Sequence, residues 1–115
     1  MENNKLVARF GYNASTSDIT GTSDVNDSNW HHFALVYPTK DANAVLYLDG
    51  SSQGTEGKKN FSIAVTRFRI GDGSYVFTGT PPLKGGPFCG TIDDVMIFNC
   101  ALTANEVYQL YLAGR

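Results

Sequence analysis

The chain has little charge and no long hydrophobic run, and both shortages exclude classes of protein. Charged residues make up 17% of its 115 residues, and the formal net charge of −2 provides no basic surface. Nucleic acids and anionic membranes bind through clustered Lys and Arg, so we expect neither as a partner. No apolar run approaches the ~20 residues that a bilayer span requires. The N-terminal residues also lack the blocks of a signal peptide, which leaves the compartment open.

Cysteine is scarce as well, with only Cys89 and Cys100 present. If residues 90–98 form one extended strand, at ~3.3 Å per residue the two sulfurs lie roughly 30 Å apart. A disulfide needs Cα atoms within ~7 Å of each other. We therefore expect two buried or half-buried free thiols, which suit a reducing compartment or a protein indifferent to redox state.

The amino-acid composition indicates a folded domain. Hydrophobic residues make up 42% of the chain and aromatic residues 12%, which is typical of a globular protein and not of a disordered one. The chain is long enough for one core but not for two. We expect a single domain over residues 1–115.

The clearest pattern is a pair of apolar strands, at residues 30–37 and 45–50. The first is apolar on both faces, so we expect both to be covered inside a layered β-structure. The polar residues 38–43 supply the turn, and Asp49-Gly50 ends the second strand with a dipeptide that accepts positive φ.

Trp30, His31 and His32 open the first of these strands. An exposed tryptophan could stack on a sugar, but in a strand covered on both faces Trp30 is interpreted as part of the fold. Neighbouring strand residues point to opposite faces, so the two histidines cannot ligate one metal ion. Both are interpreted as hydrogen-bonded sheet residues.

The rest of the chain predicts further short strands separated by turns, which is typical of an antiparallel sandwich or barrel. The prolines and glycines of residues 79–87 predict an irregular loop, and the Gly- and Ser-rich residues 51–60 a turn. Strands are predicted at residues 6–11, 18–22, 61–65, 67–71 and 75–77.

One helix is predicted, at the C-terminal end. Thr103 and Glu106 have the spacing of a capping box, in which each side chain bonds to the other's backbone amide. Leu102 and Val107 have the spacing of a hydrophobic staple, and Gly114 suits the C-terminal cap. We interpret this helix as packing against the sandwich, with no functional role.

Residues 88–107, together with Trp30-His31-His32, residues 46–50 and residues 68–71, resemble the laminin-G-like domain of the concanavalin A-like lectin/glucanase superfamily. The resemblance runs from Leu6 to Gly114 in the family's order. It implies an all-β fold, an antiparallel jelly-roll β-sandwich of two curved sheets, with the short helix added. Members of the family are mostly binding modules for glycans or proteins, often extracellular and often with a calcium ion at one rim.

The resemblance also implies open strand edges. Domains of this family usually have several strands before the segment that resembles residues 6–11, and this chain begins close to that point. The resemblance therefore implies either a jelly roll trimmed at its N-terminus or a sheet with open edges. Because open edges expose unpaired N–H and C=O groups, we predict a homodimer or a higher oligomer.

Two neighbouring carboxylates, Asp93 and Asp94, lie in the predicted strand 92–98. Since they point to opposite faces, at least one should be partly buried and need donors or a cation. Backbone amides are favoured over calcium, which stays an alternative. If calcium binds, Asp72 on a Gly-flanked loop is the best second ligand beside Asp93.

Ligand contacts are expected from aromatic residues on loops and from their polar neighbours. Sugars present C–H faces that pack on aromatic rings, and hydroxyls that bond to carboxylates and amides. Side chains that only cap the core would show the same pattern. The candidates are Tyr12, Asn13, Asp72, Tyr75 and Phe77.

Catalysis is not expected. A retaining glycosidase needs two carboxylates ~5 Å apart, which glucanase members of the superfamily carry as glutamates alternating along one strand. Glu2, Glu56 and Glu106 lie at a terminus, in a predicted turn and in the capping box, so no two can pair on a strand. The sequence thus favours a non-catalytic module that binds carbohydrate. The alternative is a structural, oligomerisation or protein-interaction domain without a small-molecule ligand.

Overall fold

The computed structural model describes residues 4–12, 15–38, 42–56, 70–71, 76–77, 83–84 and 88–114. Within them lie seven strands and one helix. The strands form three antiparallel groups, with orders β1-β2, β3-β4-β5 and β6-β7. The elements are β1 (Lys5–Tyr12), β2 (Ser15–Asp24), β3 (Phe33–Val36), β4 (Ala44–Leu48), β5 (Ser51–Glu56), β6 (Val76–Phe77), β7 (Leu83–Lys84) and α1 (Ala104–Ala113).

The first hairpin is longer than its sequence predicts. β1 agrees with the predicted strand 6–11, but β2 extends over Ser15–Asp24 where only 18–22 was expected. β2 is almost entirely polar, so it shows little hydrophobic alternation. The buried pair Ala8 and Ile19 holds the register, and backbone pairing with β1 does the rest.

The predicted hairpin of β3 and β4 is confirmed, with Phe33 opposite Leu48 and Val36 opposite Val45. β4 then pairs with β5 through a two-residue turn, in which Asp49 has φ 50° and Gly50 has φ 76°. Positive φ at both central residues is the geometry of a tight β-hairpin turn.

The prediction of a turn region over residues 51–60 is wrong for its first half, because Ser51–Glu56 is β5. Its residues are small or polar and give no strand signal. β4 is buried, however, and the backbone groups along its second edge need partners, which β5 supplies.

β4 lies in the middle of the layers. On one face Ala44 and Leu46 cluster with Ala8 and Ile19 of the β1-β2 hairpin. On the other face Tyr47, together with Val36 of β3, packs against Val107 of α1. The sheet is therefore covered by a second sheet on one side and by the helix on the other.

A glutamine links the two sheets across β2 and β5. The Gln53 Oε1 atom accepts from the Thr22 amide at 3.0 Å, the Thr22 hydroxyl at 3.1 Å and the Ser23 amide at 3.4 Å. Beside it Gly54 lies so close to Ile19 that a Cβ at Gly54 would be 3.2 Å from the Ile19 Cγ2 atom. The glycine at position 54 thus lets β5 lie close to Ile19 of β2.

The covering of β3 is incomplete, which corrects the expectation of a strand buried on both faces. Val36 is buried, but Phe33 and Leu35 are 59% and 48% exposed. The β1-β2 hairpin packs mainly over β4 and β5. Among the described residues, it leaves the β3 side of that face uncovered.

The predicted helix and its cap are confirmed. The Thr103 hydroxyl accepts from the Glu106 amide at 3.2 Å, and the Glu106 carboxylate accepts from the Thr103 amide at 2.7 Å. The Glu106 carboxylate also accepts from the Thr103 hydroxyl at 2.9 Å, and the bonds from the Thr103 amide and then from the Thr103 hydroxyl lower the pKa of Glu106. Val107 is fully buried with Leu102 packed against it. The Gly114 amide closes the helix by donating to the Leu110 carbonyl at 3.1 Å.

The segment 88–98 differs most from its prediction. Residues 91–98 form no strand, and Asp94 has φ 51°, outside the extended region. Its large apolar side chains are exposed, since within the described ranges no strand pairs with it. They are Phe88, Ile92, Val95, Met96, Ile97 and Phe98.

Cys89 within this segment and Cys100 just after it are not disulfide-bonded, as predicted, but both are exposed and not buried. Their expected burial rested on the strand that does not form. Thiols on an exposed segment are open to solvent and its oxidants.

The remaining predictions fall partly on described residues. β6 matches the predicted strand 75–77, and it pairs with β7 inside the stretch predicted as an irregular loop. The predicted strand 61–65 lies outside the described residues, as does 67–71 except for Ile70 and Gly71, which form a bend. In the described ranges no helix is both long and apolar enough to span a membrane.

Candidate functional site

The residues that lead into β3 form a polar loop around His31. This loop, residues 25–32, is called the Trp30 loop below. The His31 ring bridges two carboxylates, with its Nδ1 atom 2.8 Å from the Asp49 Oδ2 atom and its Nε2 atom 2.9 Å from the Asp27 Oδ1 atom. One partner belongs to the β4-β5 turn and the other to the loop itself, so the ring ties the loop to the turn.

Asp49 is held firmly by backbone bonds. Its Oδ1 atom accepts from the His32 amide at 2.9 Å, and its own amide donates to the His32 carbonyl at 2.7 Å. The turn geometry at Asp49 and Gly50 places this carboxylate beside the residues that precede β3. Asp49 therefore anchors the loop from the sheet side.

Asp27 is held within the loop. Its Oδ1 atom accepts from the Asn29 amide at 2.9 Å, and its Oδ2 atom accepts from the Asn29 side-chain amide at 2.8 Å. The Asn29 side chain, then the Asn29 backbone amide and then His31 lower the pKa of Asp27 to about 2. The Asp27 carboxylate is therefore ionised at neutral pH.

The electrostatics of His31 follow from its two partners. The hydrogen bond to Asp49 and then that to Asp27 raise the pKa of His31 above 6.5, against the opposing effect of burial. A neutral imidazole carries one N–H, whereas here both ring nitrogens face carboxylate oxygens. The geometry therefore suits the imidazolium, which donates to both.

Trp30 lies between these anchored residues with its side chain 69% exposed. This corrects its interpretation as a buried part of the fold. A tryptophan is usually largely buried, and an indole presented to solvent from a hydrogen-bonded loop offers a flat apolar face for a ligand. Asp27 and Asn29 are its polar neighbours on the loop.

The turn is supported from behind by α1. A Cβ atom at Gly50 would lie 2.7 Å from the Tyr108 Cδ2 atom, so the helix packs directly on the turn. The His32 ring lies 6.1 Å from the Tyr111 ring, centroid to centroid, and its buried Nδ1 atom has no hydrogen-bond partner among the described residues. His31 and His32 precede β3, so the interpretation of both as sheet residues is wrong.

The structure does not describe the side chains of the ligand residues predicted from the sequence. Asn13, Asp72 and Tyr75 lie outside the described residues. Tyr12 ends β1 and Phe77 ends β6, where the structure describes the backbone alone. Their role in ligand binding stays a prediction.

The predicted calcium ligand Asp93 is described. It is exposed, as is Asp94, so the expectation that one of them is partly buried is wrong. Its Oδ1 atom accepts from the Asp94 amide at 2.8 Å. In the described part of the chain no group of three or more His, Cys, Asp or Glu side chains is arranged to hold a metal ion. The calcium site stays a prediction.

Comparison with known families agrees with the layered β-structure. The laminin G model of the concanavalin A-like lectin/glucanases superfamily matches residues 1–108. The chain belongs to this family. Its fold is that of a concanavalin A-like β-sandwich, and laminin G-like domains are generally non-catalytic binding modules.

A solved structure has a similar fold to this laminin G-like domain. It is a crystal structure of residues 221–444 of an S-layer domain-containing protein from Clostridium thermocellum, with a TM-score of 0.66 and 24% sequence identity. The alignment covers 93% of this chain and 51% of that one. The laminin G-like domain thus spans about half the length of that chain, and at this identity the likeness concerns the fold alone.

The sequence reasoning missed the residues that organise the Trp30 loop. Asp27-Ser28-Asn29 carries a usable signal, because Asp and Asn side chains commonly bond to backbone amides two residues on. The hydrogen bond between His31 and Asp49 has no such signal in the sequence, because it depends on where the β4-β5 turn lies in three dimensions.

Proposed function

We propose that this laminin G-like domain is a non-catalytic module that binds carbohydrate at the Trp30 loop. The observation that carries the proposal is the exposed indole of Trp30, held between residues whose side chains are hydrogen-bonded on the same loop. An aromatic platform binds more tightly when it is pre-organised, and the hydrogen bonds on both sides of Trp30 hold the backbone that carries it.

The chemistry of the loop suits a sugar. The C–H face of a pyranose packs on an aromatic ring, and its hydroxyls bond to neighbouring carboxylates and amides. Asp27 is ionised at neutral pH and accepts hydrogen bonds, while Asn29 can donate and accept. The sequence-based candidates Tyr12, Asn13, Asp72, Tyr75 and Phe77 are proposed as a second contact region, with calcium held by Asp72 and Asp93 if it is required.

The charges on the loop favour binding over glycoside hydrolysis. A catalytic acid needs a carboxyl group whose pKa is raised towards neutrality. The Asn29 and His31 contacts instead lower the pKa of Asp27 to about 2. The Glu106 carboxylate is engaged in the helix cap. These assignments support a module without glycosidase activity.

A glycan array with and without calcium tests the proposal, followed by titration of the best ligand. Stacking contributes about 1 kcal/mol, so Trp30→Ala should weaken binding about fivefold. Phe33→Ala is the matched control, because Phe33 is also an exposed aromatic residue but lies on β3. The proposal is overturned if no glycan binds under either condition, or if Trp30→Ala binds as tightly as the parent.

A second candidate function is self-association as a structural module, favoured by the exposed apolar side chains of residues 88–98. Contiguous apolar surface of this kind often marks an interaction site. We propose a second copy of this chain as the partner, with Ile97→Asp as the disrupting variant and Asn99→Asp as the charge control. Light scattering at micromolar concentration should show a dimer or larger species that only Ile97→Asp dissociates. A monomeric parent protein would rule this function out.

A further inference from the structure

The bridge made by His31 depends on the number of protons on one ring. Both ring nitrogens lie within 2.9 Å of a carboxylate oxygen, and each of those contacts needs an N–H. Protonated His31 has two N–H groups and neutral His31 has one. The neutral ring must therefore lose one of its two hydrogen bonds.

The two carboxylates that His31 contacts differ in how firmly they are held and in whether another donor is available. Asp49 is fixed by the His32 backbone and by its place in a tight turn. Asp27 belongs to the exposed loop and has Asn29 as an alternative donor through both its backbone and its side chain. The contact to Asp27 is consequently the one that a neutral ring gives up.

We propose that protonated His31 clamps the Trp30 loop to the β4-β5 turn, and that loss of its proton frees Asp27 and loosens Trp30. The consequence for glycan affinity rests on the proposed function, but the clamp itself does not. In the described part of the chain, the charged groups that face His31 are Asp27 and Asp49. The helix packed against the same turn presents the phenols of Tyr108 and Tyr111, which lie against Gly50 and His32.

The direction of the pH effect follows from the shifts already described. Because the pKa of His31 is raised above 6.5, the clamp is closed below that value and opens as pH rises through the folded-state pKa. The pKa of Asp27, at about 2, keeps that carboxylate ionised throughout. Loss of the His31 proton therefore changes the charge at this contact while Asp27 stays charged. The loop also carries the imidazole of His32, so the His31→Gln variant decides which ring is responsible.

The single tryptophan of the chain makes the clamp measurable without any ligand. Fluorescence anisotropy of Trp30 is followed between about pH 5 and pH 9, beside an NMR titration of the His31 ring. The anisotropy should fall as pH rises, with the same midpoint as the His31 titration. A flat anisotropy profile while His31 titrates would overturn the clamp.

Three variants test the assignment of the effect to this ring. His31→Gln should give a pH-independent anisotropy, because an amide does not titrate in this range. Asp27→Ala removes the acceptor of the His31 Nε2–H group, so it should lower the His31 midpoint and give the loosened value at every pH. Asp94→Asn removes an exposed carboxylate on the segment 88–98, outside the Trp30 loop and the β4-β5 turn, and should leave the profile unchanged. A pH-dependent fall that persists in His31→Gln contradicts the proposal.

The glycan arm separates this inference from the proposed function. If a glycan binds, its affinity should fall over the same pH range in the parent protein and stay constant in His31→Gln. A pH-dependent anisotropy with no glycan bound at any pH supports the clamp and overturns the proposed function. Glycan binding with a flat anisotropy profile supports the proposed function and overturns the clamp.

Discussion

Two apolar segments of this chain have opposite surroundings. β4, with the sequence Ala-Val-Leu-Tyr-Leu, has four of its five residues buried. Residues 91–98, which include Ile92, Val95, Met96, Ile97 and Phe98, are exposed throughout. All five residues of β4 and five of the eight residues of 91–98 are apolar, so the presence of large apolar side chains does not by itself decide burial.

The difference lies in what surrounds each segment. β4 is hydrogen-bonded to a strand on each edge and covered by a sheet on one face and by α1 on the other. Residues 91–98 have no paired strand in the described ranges, and a positive φ at Asp94 interrupts extended backbone. Burial is thus a property of the neighbours that a segment finds, and substitutions in the two segments should differ accordingly.

The largest effect is expected from the covered segment. Leu46 is 2% exposed and packs in the cluster that joins β4 to the β1-β2 hairpin. Leu46→Ala should therefore lower the free energy of unfolding by about 2–5 kcal/mol. Ile97, at 75% exposed, is the matched position in the other segment. Ile97→Ala should change stability by less than about 0.5 kcal/mol. Urea unfolding measures both, and equal losses would mean that residues 91–98 are covered in solution.

The turn that follows β4 should give the next largest effect. Gly50 has φ 76° and faces Tyr108 too closely for a Cβ atom, so Gly50→Ala should cost about 1–2 kcal/mol from the backbone alone. Gly114 has φ −88°, and a Cβ there would make only an ordinary van der Waals contact, 3.6 Å from the Leu110 carbonyl oxygen. Gly114→Ala should be close to neutral. Thermal unfolding distinguishes the two, and a silent Gly50→Ala would show that the turn and helix separate readily.

The helix cap joins the exposed segment to the covered core. Removing the Thr103 hydroxyl leaves the Glu106 amide without its acceptor, so Thr103→Ala should cost about 1 kcal/mol. Thr103→Ser keeps the hydroxyl and should retain most of that stability. Hydrogen exchange of the first helical turn, compared between the two variants, checks the prediction. Equal protection in both would mean that packing of Val107 holds the helix end without its cap.

The smallest effect is expected from an exposed ion pair. The Lys5 ammonium lies 2.8 Å from the Asp24 carboxylate, but both side chains are open to solvent. Lys5→Gln should cost less than about 1 kcal/mol, and the difference from the parent should shrink in high salt. Urea unfolding at two salt concentrations measures it. A loss comparable to that of Leu46→Ala would place this end of the β1-β2 hairpin in the core.

The sequence predicts correctly those elements whose pattern lies within a few consecutive residues. The β3-β4 hairpin follows from apolar runs around a polar turn, and the cap of α1 follows from Thr103 and Glu106. β2 and β5 were underestimated because polar strands draw their stability from a partner strand. Residues 91–98 were misassigned because a strand pattern does not supply the strand that must lie beside it.

The candidate site could be predicted only in part for the same reason. Trp30 and His31 are conspicuous in the sequence, but the alternating pattern assigned them to a buried strand, whereas β3 begins only at Phe33. The bond from His31 to Asp49 joins residues 18 apart in the chain. It depends on the β4-β5 turn, which the sequence indicates, and on the path of the loop, which it does not.

The Gln53 link between the sheets has a consequence for how this domain responds to its surroundings. Its acceptor is an uncharged amide oxygen, and its donors are a hydroxyl and two backbone amides, none of which titrates near neutral pH. Salt also screens such bonds far less than it screens ion pairs. A change of pH that alters the proposed His31 clamp should therefore leave the Gln53 bonds between β2 and β5 intact. The response to pH then stays local and does not become unfolding of the domain.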